Sequence, residues 1–196
     1  MAIALKNYTG RDILPFADDL ARLRIEVFRS FPYLYDGDMA YEQAYIDTYA
    51  RSAGSLFVLA FDGDKVVGAA TGIPMADETR EFRQPFLDQG YQPDRIFYFG
   101  ESVLLPEYRG HGVGVAFFDH RESHALEQGS FTHTCFCAVE RPSVHPLRPA
   151  DYEPLDDFWH KRGYKKVPAL KTQYHWRDIG DTAQTPKPMT FWFKSL

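Results

Sequence analysis

Apolar residues along this chain follow two rhythms. Ile13, Phe16, Ala17, Leu20, Leu23, Val27 and Phe28 recur at helical spacing, which predicts an amphipathic helix. Asp12 is its candidate N-cap, and Pro15 then falls in the first turn, where a missing amide proton costs little. After a loop, FRSFPYLYDGD, Asp38 is placed to cap a second helix with Tyr41, Tyr45 and Tyr49 along one stripe. Ile3–Tyr8 reads as a first strand. Ser55–Phe61 and Lys65–Ile73 flank Asp-Gly-Asp, a hairpin signal. Ile96–Leu104 is a strand whose apolar residues do not strictly alternate, as expected when both faces are covered. A helix to about Gln128 follows, ended by Gly129. Phe131–Val139 is another strand, Leu155–Arg162 a short helix closed by Gly163, and Gln173–Arg177 and Thr190–Lys194 are closing strands. Residues 76–95, mostly irregular or a short helix, and 141–154, irregular, read as insertions in a single domain spanning 1–196. The order of elements predicts a mixed α/β sheet with helices on both faces.

Composition narrows the class. The chain has 196 residues, 44% hydrophobic and 25% charged, ordinary values for a globular protein. Its aromatic share of 16% is high. A net charge of −5 weighs against nucleic acid or an anionic membrane as partner. Cys135 and Cys137 are the only cysteines, too few for a disulfide scaffold. The N-terminus lacks a basic stretch followed by a long apolar run, and no segment approaches the ~20 apolar residues of a spanning helix. A cytoplasmic protein is expected.

The most specific signal is PEYRGHGVG, from Pro106 to Gly114, between a strand and a helix. Such a loop gathers unpaired backbone amides at the positive end of a helix dipole, a natural anion cradle. The phosphate-loop pattern GxxxxGK[ST] is absent. The dinucleotide pattern GxGxxG also fails, because Gly110, Gly112 and Gly114 give GxGxG in mid-chain. The pattern [RQ]-x-x-G-x-[GA] fits in register through Arg109, Gly112 and Gly114.

On these residues the chain resembles the GNAT superfamily of N-acetyltransferases. The likeness returns at FWHKRGY, where the family often carries a tyrosine-bearing helix. It implies a fold of the α/β (α+β) class: a mixed, mostly antiparallel central sheet with helices on both faces. It implies acetyl-CoA as co-substrate and no metal, with the pyrophosphate on the amides of Arg109, Gly110, His111, Gly112, Val113 and Gly114. The pantetheine arm would then run along the strand at Val103 and Leu104, near Trp159. The acceptor would be an amine of a small molecule or peptide, attacking directly in a ternary complex. A homodimer stays open.

Amide formation from a thioester needs a neutral amine, so something must deprotonate the ammonium. Glu101, just before the cofactor segment, is the candidate base. Trp159 stands where relatives carry the tyrosine acid, and an indole N–H cannot serve as a practical acid. Tyr164, Tyr152 or solvent would then protonate the thiolate, with Tyr164 the named candidate. Tyr33, Tyr35 and Asp36 are candidate acceptor contacts, while Tyr45 and Tyr49 read as core packing. His120 and His124 with the cysteines weakly suggest zinc, but a solvated face is favoured. Cys137 as nucleophile would need His133 as its base. A non-catalytic CoA-binding module and an NAD-dependent oxidoreductase are the competing readings.

Overall fold

The structure, a computed structural model, describes residues 3–196. Met1 and Ala2, counted in the expected single domain, lie outside the described residues. Seven strands form one sheet: β1 (Ala4–Tyr8), β2 (Leu56–Asp62), β3 (Lys65–Pro74), β4 (Ile96–Leu104), β5 (His133–Val139), β6 (Lys165–Trp176) and β7 (Thr185–Ser195). Their order is β1-β2-β3-β4-β5-β7-β6. All neighbours run antiparallel except β4 and β5.

Five α-helices cover the sheet: α1 (Ala17–Phe28), α2 (Met39–Arg51), α3 (Arg80–Asp88), α4 (Val113–Gln128) and α5 (Asp156–Lys161). Tyr98 of β4 packs on Phe82 of α3, while the next residue, Phe99, packs on Phe118 of α4, so the two helices lie on opposite faces. With both faces covered, β4 has the non-alternating apolar run expected of it.

Local signals largely decide the element ends. Asp38 caps α2 by accepting from the Tyr41 amide at 3.0 Å, and Gly129 ends α4 in the left-handed conformation at φ +69°. The first helix starts later than its periodicity suggests. Gly10–Phe16 winds as a 3₁₀ turn containing Pro15 and the α-helix begins at Ala17. Pro15 has no N–H to contribute to an α-helical ladder, and Asp12 makes no cap. The closing strands are longer than expected. Lys165, Lys166 and Lys171 give β6 an exposed face, a bulge separates Lys166 from Lys171, and Pro186 and Pro188 disguise the start of β7. Residues 76–95 include α3, whose Phe82 and Phe86 are buried.

Two irregularities in the sheet shape the site. The β4–β5 ladder holds only at Ile96–His133, Phe97–Thr134 and Tyr98–Cys135. From Phe99 onward β4 has no strand partner on that side. In the β3–β4 ladder, Gly72 pairs with Phe99 and Ala70 with Ser102. Gly100 and Glu101 together therefore face Thr71, a β-bulge. Simple alternation from Tyr98 would turn Glu101 toward α4, and the bulge turns it to the other face.

Candidate active site: a glycine loop and an aromatic cavity

The loop after β4 is built from main chain. Leu105 donates its amide to Val67 O at 3.0 Å, a 3₁₀ turn follows at Pro106–Tyr108, and the Tyr108 hydroxyl anchors the turn on Asp62 at 2.9 Å. Gly110 and Gly112 lie at φ +80° and +81°. Nothing stands within 4 Å of a Cβ added at either position. These glycines are thus required by left-handed backbone, with open space before them. Gly114 differs: an added Cβ would reach Phe158 of α5 at 3.6 Å, an ordinary contact. Among the described residues, no acceptor takes the amides of Gly110, His111, Gly112, Val113 or Gly114. His111 Nδ1 sits 3.3 Å from Tyr108 O and Arg109 Nε donates to Leu104 O at 3.3 Å. Unclaimed amides at a helix start, facing open space, fit a pyrophosphate. The unpartnered side of β4 at Val103 and Leu104 fits an extended arm. On α5, Trp159 packs against Phe136 and Trp192 at 5.1 and 5.0 Å, so Phe158 is the residue that meets the loop.

On the other face, α1, α2, β4 and β6 enclose a cavity of about 300 Å³. The bulge delivers Glu101 to it. Glu101 Oε2 accepts from Tyr45 Oη at 2.6 Å and pairs with Arg24 Nη1 at 2.7 Å. Arg24 Nε is also bonded to Glu42 Oε2. Burial opposes the charge of Arg24, but Glu101, Tyr45 and Glu42 outweigh it and hold its pKa above the ordinary value. Glu42 Oε1 and Glu101 Oε1 are buried without a hydrogen-bond partner. Glu78, a third carboxylate at the wall, accepts from Tyr49 Oη at 2.6 Å and the Thr79 amide at 3.0 Å. Burial raises its pKa.

Gly100 explains itself here: a Cβ would fall 2.7 Å from Thr71 Oγ1 and 2.8 Å from Tyr45 Oη, and would also strike the Tyr49 hydroxyl. From the opposite face Arg121 pins the bulge. Its guanidinium donates to Glu101 O at 3.0 Å, Thr71 O at 3.2 Å and Ser102 Oγ at 2.8 Å. Burial pushes its pKa down to about 10.

The expected site residues are sorted unevenly. Glu101, Tyr33 and Tyr35 line the cavity. Tyr45 and Tyr49 line it too, so their stripe is wall as well as core. Asp36 stands apart in an adjoining groove, paired with Arg177 at 2.6 Å. Tyr164 is not brought to the cavity: it is fully buried, with its hydroxyl 2.8 Å from Thr134 Oγ1 and donating to Glu122 at 3.0 Å. Burial drives its pKa up, which works against proton donation near neutrality. Cys137 lines the cavity, but burial pushes its thiol to about 12, and its polar neighbour is Tyr98 Oη at 3.2 Å. His133 is stacked on Phe193 instead. His120 and His124 contact Asn7 and the Gly54 carbonyl. Among the described residues no cluster of three or more His, Cys, Asp or Glu is arranged for a metal, and no helix is long and apolar enough to cross a membrane.

Arg24, Glu42 and Glu78 escaped the sequence reading. Arg24 had a signal: it falls on the same helix face as Leu20 and Leu23, where an arginine needs a buried partner. Glu78 had none, lying in a polar segment.

The model of the acetyltransferase (GNAT) family matches residues 20–148. No curated protein matches the chain. Among solved structures, the ribosomal-protein-alanine N-acetyltransferase of Brucella melitensis superposes with a TM-score of 0.62 at 14% identity, over 98% of this chain and 99% of that one. NAA60 of Arabidopsis thaliana, in complex with a bisubstrate analogue, gives 0.62 at 10% identity, covering 100% and 99%. A Salmonella typhimurium protein solved with its cofactor acetyl-CoA gives 0.60 at 11%, covering 100% and 95%. Identities this low speak for the fold alone.

Proposed function

Since the chain belongs to the acetyltransferase (GNAT) family, we propose that it moves an acetyl group from acetyl-CoA to a primary amine held in the cavity beside Glu101. The observation that carries this reading is the bulge. It sets a buried carboxylate with one free oxygen on the cavity wall, on the strand that leads straight into the glycine loop.

Acetyl-CoA, when bound, supplies the activated acyl carbon. The amides of residues 110–114 would hold its phosphates, and β4 beyond Phe99 would orient its arm. Glu101 Oε1 takes the proton that the ammonium must shed before its nitrogen can form the amide bond. Arg24 and Tyr45 fix the other oxygen, so the free one is held in place. With the Tyr164 hydroxyl occupied by Thr134 and Glu122, the departing thiolate is left to solvent, a tolerable course for a thiol of pKa ~8.5.

The test is amine-dependent release of CoA by wild type and Glu101→Gln, beside calorimetry with acetyl-CoA. General-base contributions run to about 10²–10⁴-fold, so kcat should fall by at least tenfold while acetyl-CoA affinity holds. The deficit should shrink as pH rises and more amine is already neutral. A folded variant with undiminished kcat at low pH would remove Glu101 from this role. Failure of the wild type to bind acetyl-CoA would remove the function.

A further inference from the structure

The cavity is specific about charge. One guanidinium, Arg24, is shared by two carboxylates, Glu42 and Glu101. Glu42 and Glu101 are 0% and 6% exposed, yet each keeps one oxygen, Oε1, without a hydrogen-bond partner. A buried carboxylate oxygen with no donor is costly, and a donor arriving on a ligand removes that cost. Tyr35 lies against Glu42, and burial, then this carboxylate, drives the tyrosine pKa up. Much of the remaining wall is aromatic, including Tyr33, Tyr41, Tyr98, Tyr174, Trp176 and Phe82. Ring faces attract a cation and bury an apolar body at once.

The cavity is also closed on the side where the loop between α1 and α2 meets β6. The loop between α1 and α2 is joined to the end of β6 and the turn after it through Asp36 N to Arg177 O at 2.9 Å and Ile179 N to Leu34 O at 2.7 Å. Arg141 ties the same turn with bonds to Asp178 at 2.7 Å and to the carbonyls of Pro32 and Tyr33 at 2.7 Å. The hydroxyls of Tyr41 and Tyr174 meet between α2 and β6. A peptide backbone threading this side would have to break paired main chain.

We propose that the acceptor is a free arylalkylamine: a primary ammonium on a short chain bearing an aromatic ring, without a carboxylate. This rests on the acetyl-transfer reading above. The ammonium meets the free oxygens of Glu101 and Glu42, and the ring lies among the tyrosines and Trp176. An amino acid of the same shape would bring its own carboxylate up to the two already there.

The experiment compares phenethylamine, L-phenylalanine and a tetrapeptide with a free N-terminus. Each is titrated calorimetrically into the protein saturated with CoA, then assayed with acetyl-CoA for thiol release. The expected result is phenethylamine binding at least tenfold more tightly than L-phenylalanine, with no binding of the peptide. Glu42→Gln should weaken phenethylamine at least fivefold and leave acetyl-CoA affinity unchanged. The wild-type panel decides the matter even if that variant does not fold. Equal or better binding of L-phenylalanine or the peptide overturns the proposal, and turnover with the peptide would leave the acetyl-transfer reading standing. Selective binding of phenethylamine without thiol release would uphold the cavity assignment and overturn the transfer reading.

Discussion

The glycine loop and the aromatic cavity sit on opposite sides of the end of β4, and they are made in opposite ways. The loop offers backbone amides, stays open to solvent, and takes all its parts from consecutive residues between Pro106 and Gly114. The cavity presents side chains, holds its carboxylates buried, and draws on α1, α2, α3, four strands from β4 to β7 and the segment before α3. A main-chain site depends on local φ and on missing side chains, so a few adjacent residue types suffice to specify it. A side-chain site depends on which distant residues the fold brings together.

Three substitutions would break or sharpen this contrast. The largest effect is expected from Arg24→Ala, which leaves Glu42 and Glu101 buried without their shared cation. Removing one partner of a buried ion pair costs about 3–5 kcal/mol. Chemical denaturation should show a loss of that order, and one below about 1 kcal/mol would mean that water already reaches the carboxylates. The loop should show the reverse pattern. Gly112→Glu forces a side chain onto left-handed backbone and sets a negative charge at the helix start proposed to hold phosphate. Acetyl-CoA affinity should fall at least tenfold, about 1.4 kcal/mol, with amine binding to the cavity intact. Equal affinity in the folded variant would remove the cofactor from this loop.

The smallest effect belongs to Glu78. Its raised pKa in the folded protein means that the native state holds a proton which the unfolded state releases at lower pH. Its contribution to stability is therefore present below the ordinary value of 4.5 and is lost as pH rises through the raised one. Glu78→Gln should flatten that decline in denaturation curves taken at successive pH values. An unchanged slope would show that Glu78 is not the group responsible.

Much of the fold was legible because its signals are local. Asp38 caps α2 and Gly129 ends α4 through chemistry confined to a turn, and β4 matches its apolar run from Ile96 to Leu104. The start of α1 misled because Pro15 tightens the chain into a 3₁₀ turn without interrupting the apolar rhythm. In the site, Glu101 could be named from its place before the loop, but its direction could not. That direction depends on a one-residue slip against Thr71 and on Arg121 reaching through from α4. Arg24, Glu42 and Glu78 are spread over more than fifty positions and become a unit only when α1, α2 and the segment after β3 meet. Asp36 shows the converse: a carboxylate in the right loop, turned instead to Arg177.

Gly100 limits how this cavity can change over time or under an engineer's hand. Any side chain there would collide with Thr71 and with two tyrosine hydroxyls already committed to Glu101 and Glu78. The floor is thus a fixed dimension. On the proposed function, adaptation to larger or smaller amines must come from trimming or enlarging rings such as Tyr33, Tyr41 and Phe82 elsewhere on the wall, a route that alters the shape of the space while leaving the Glu101 carboxylate in place.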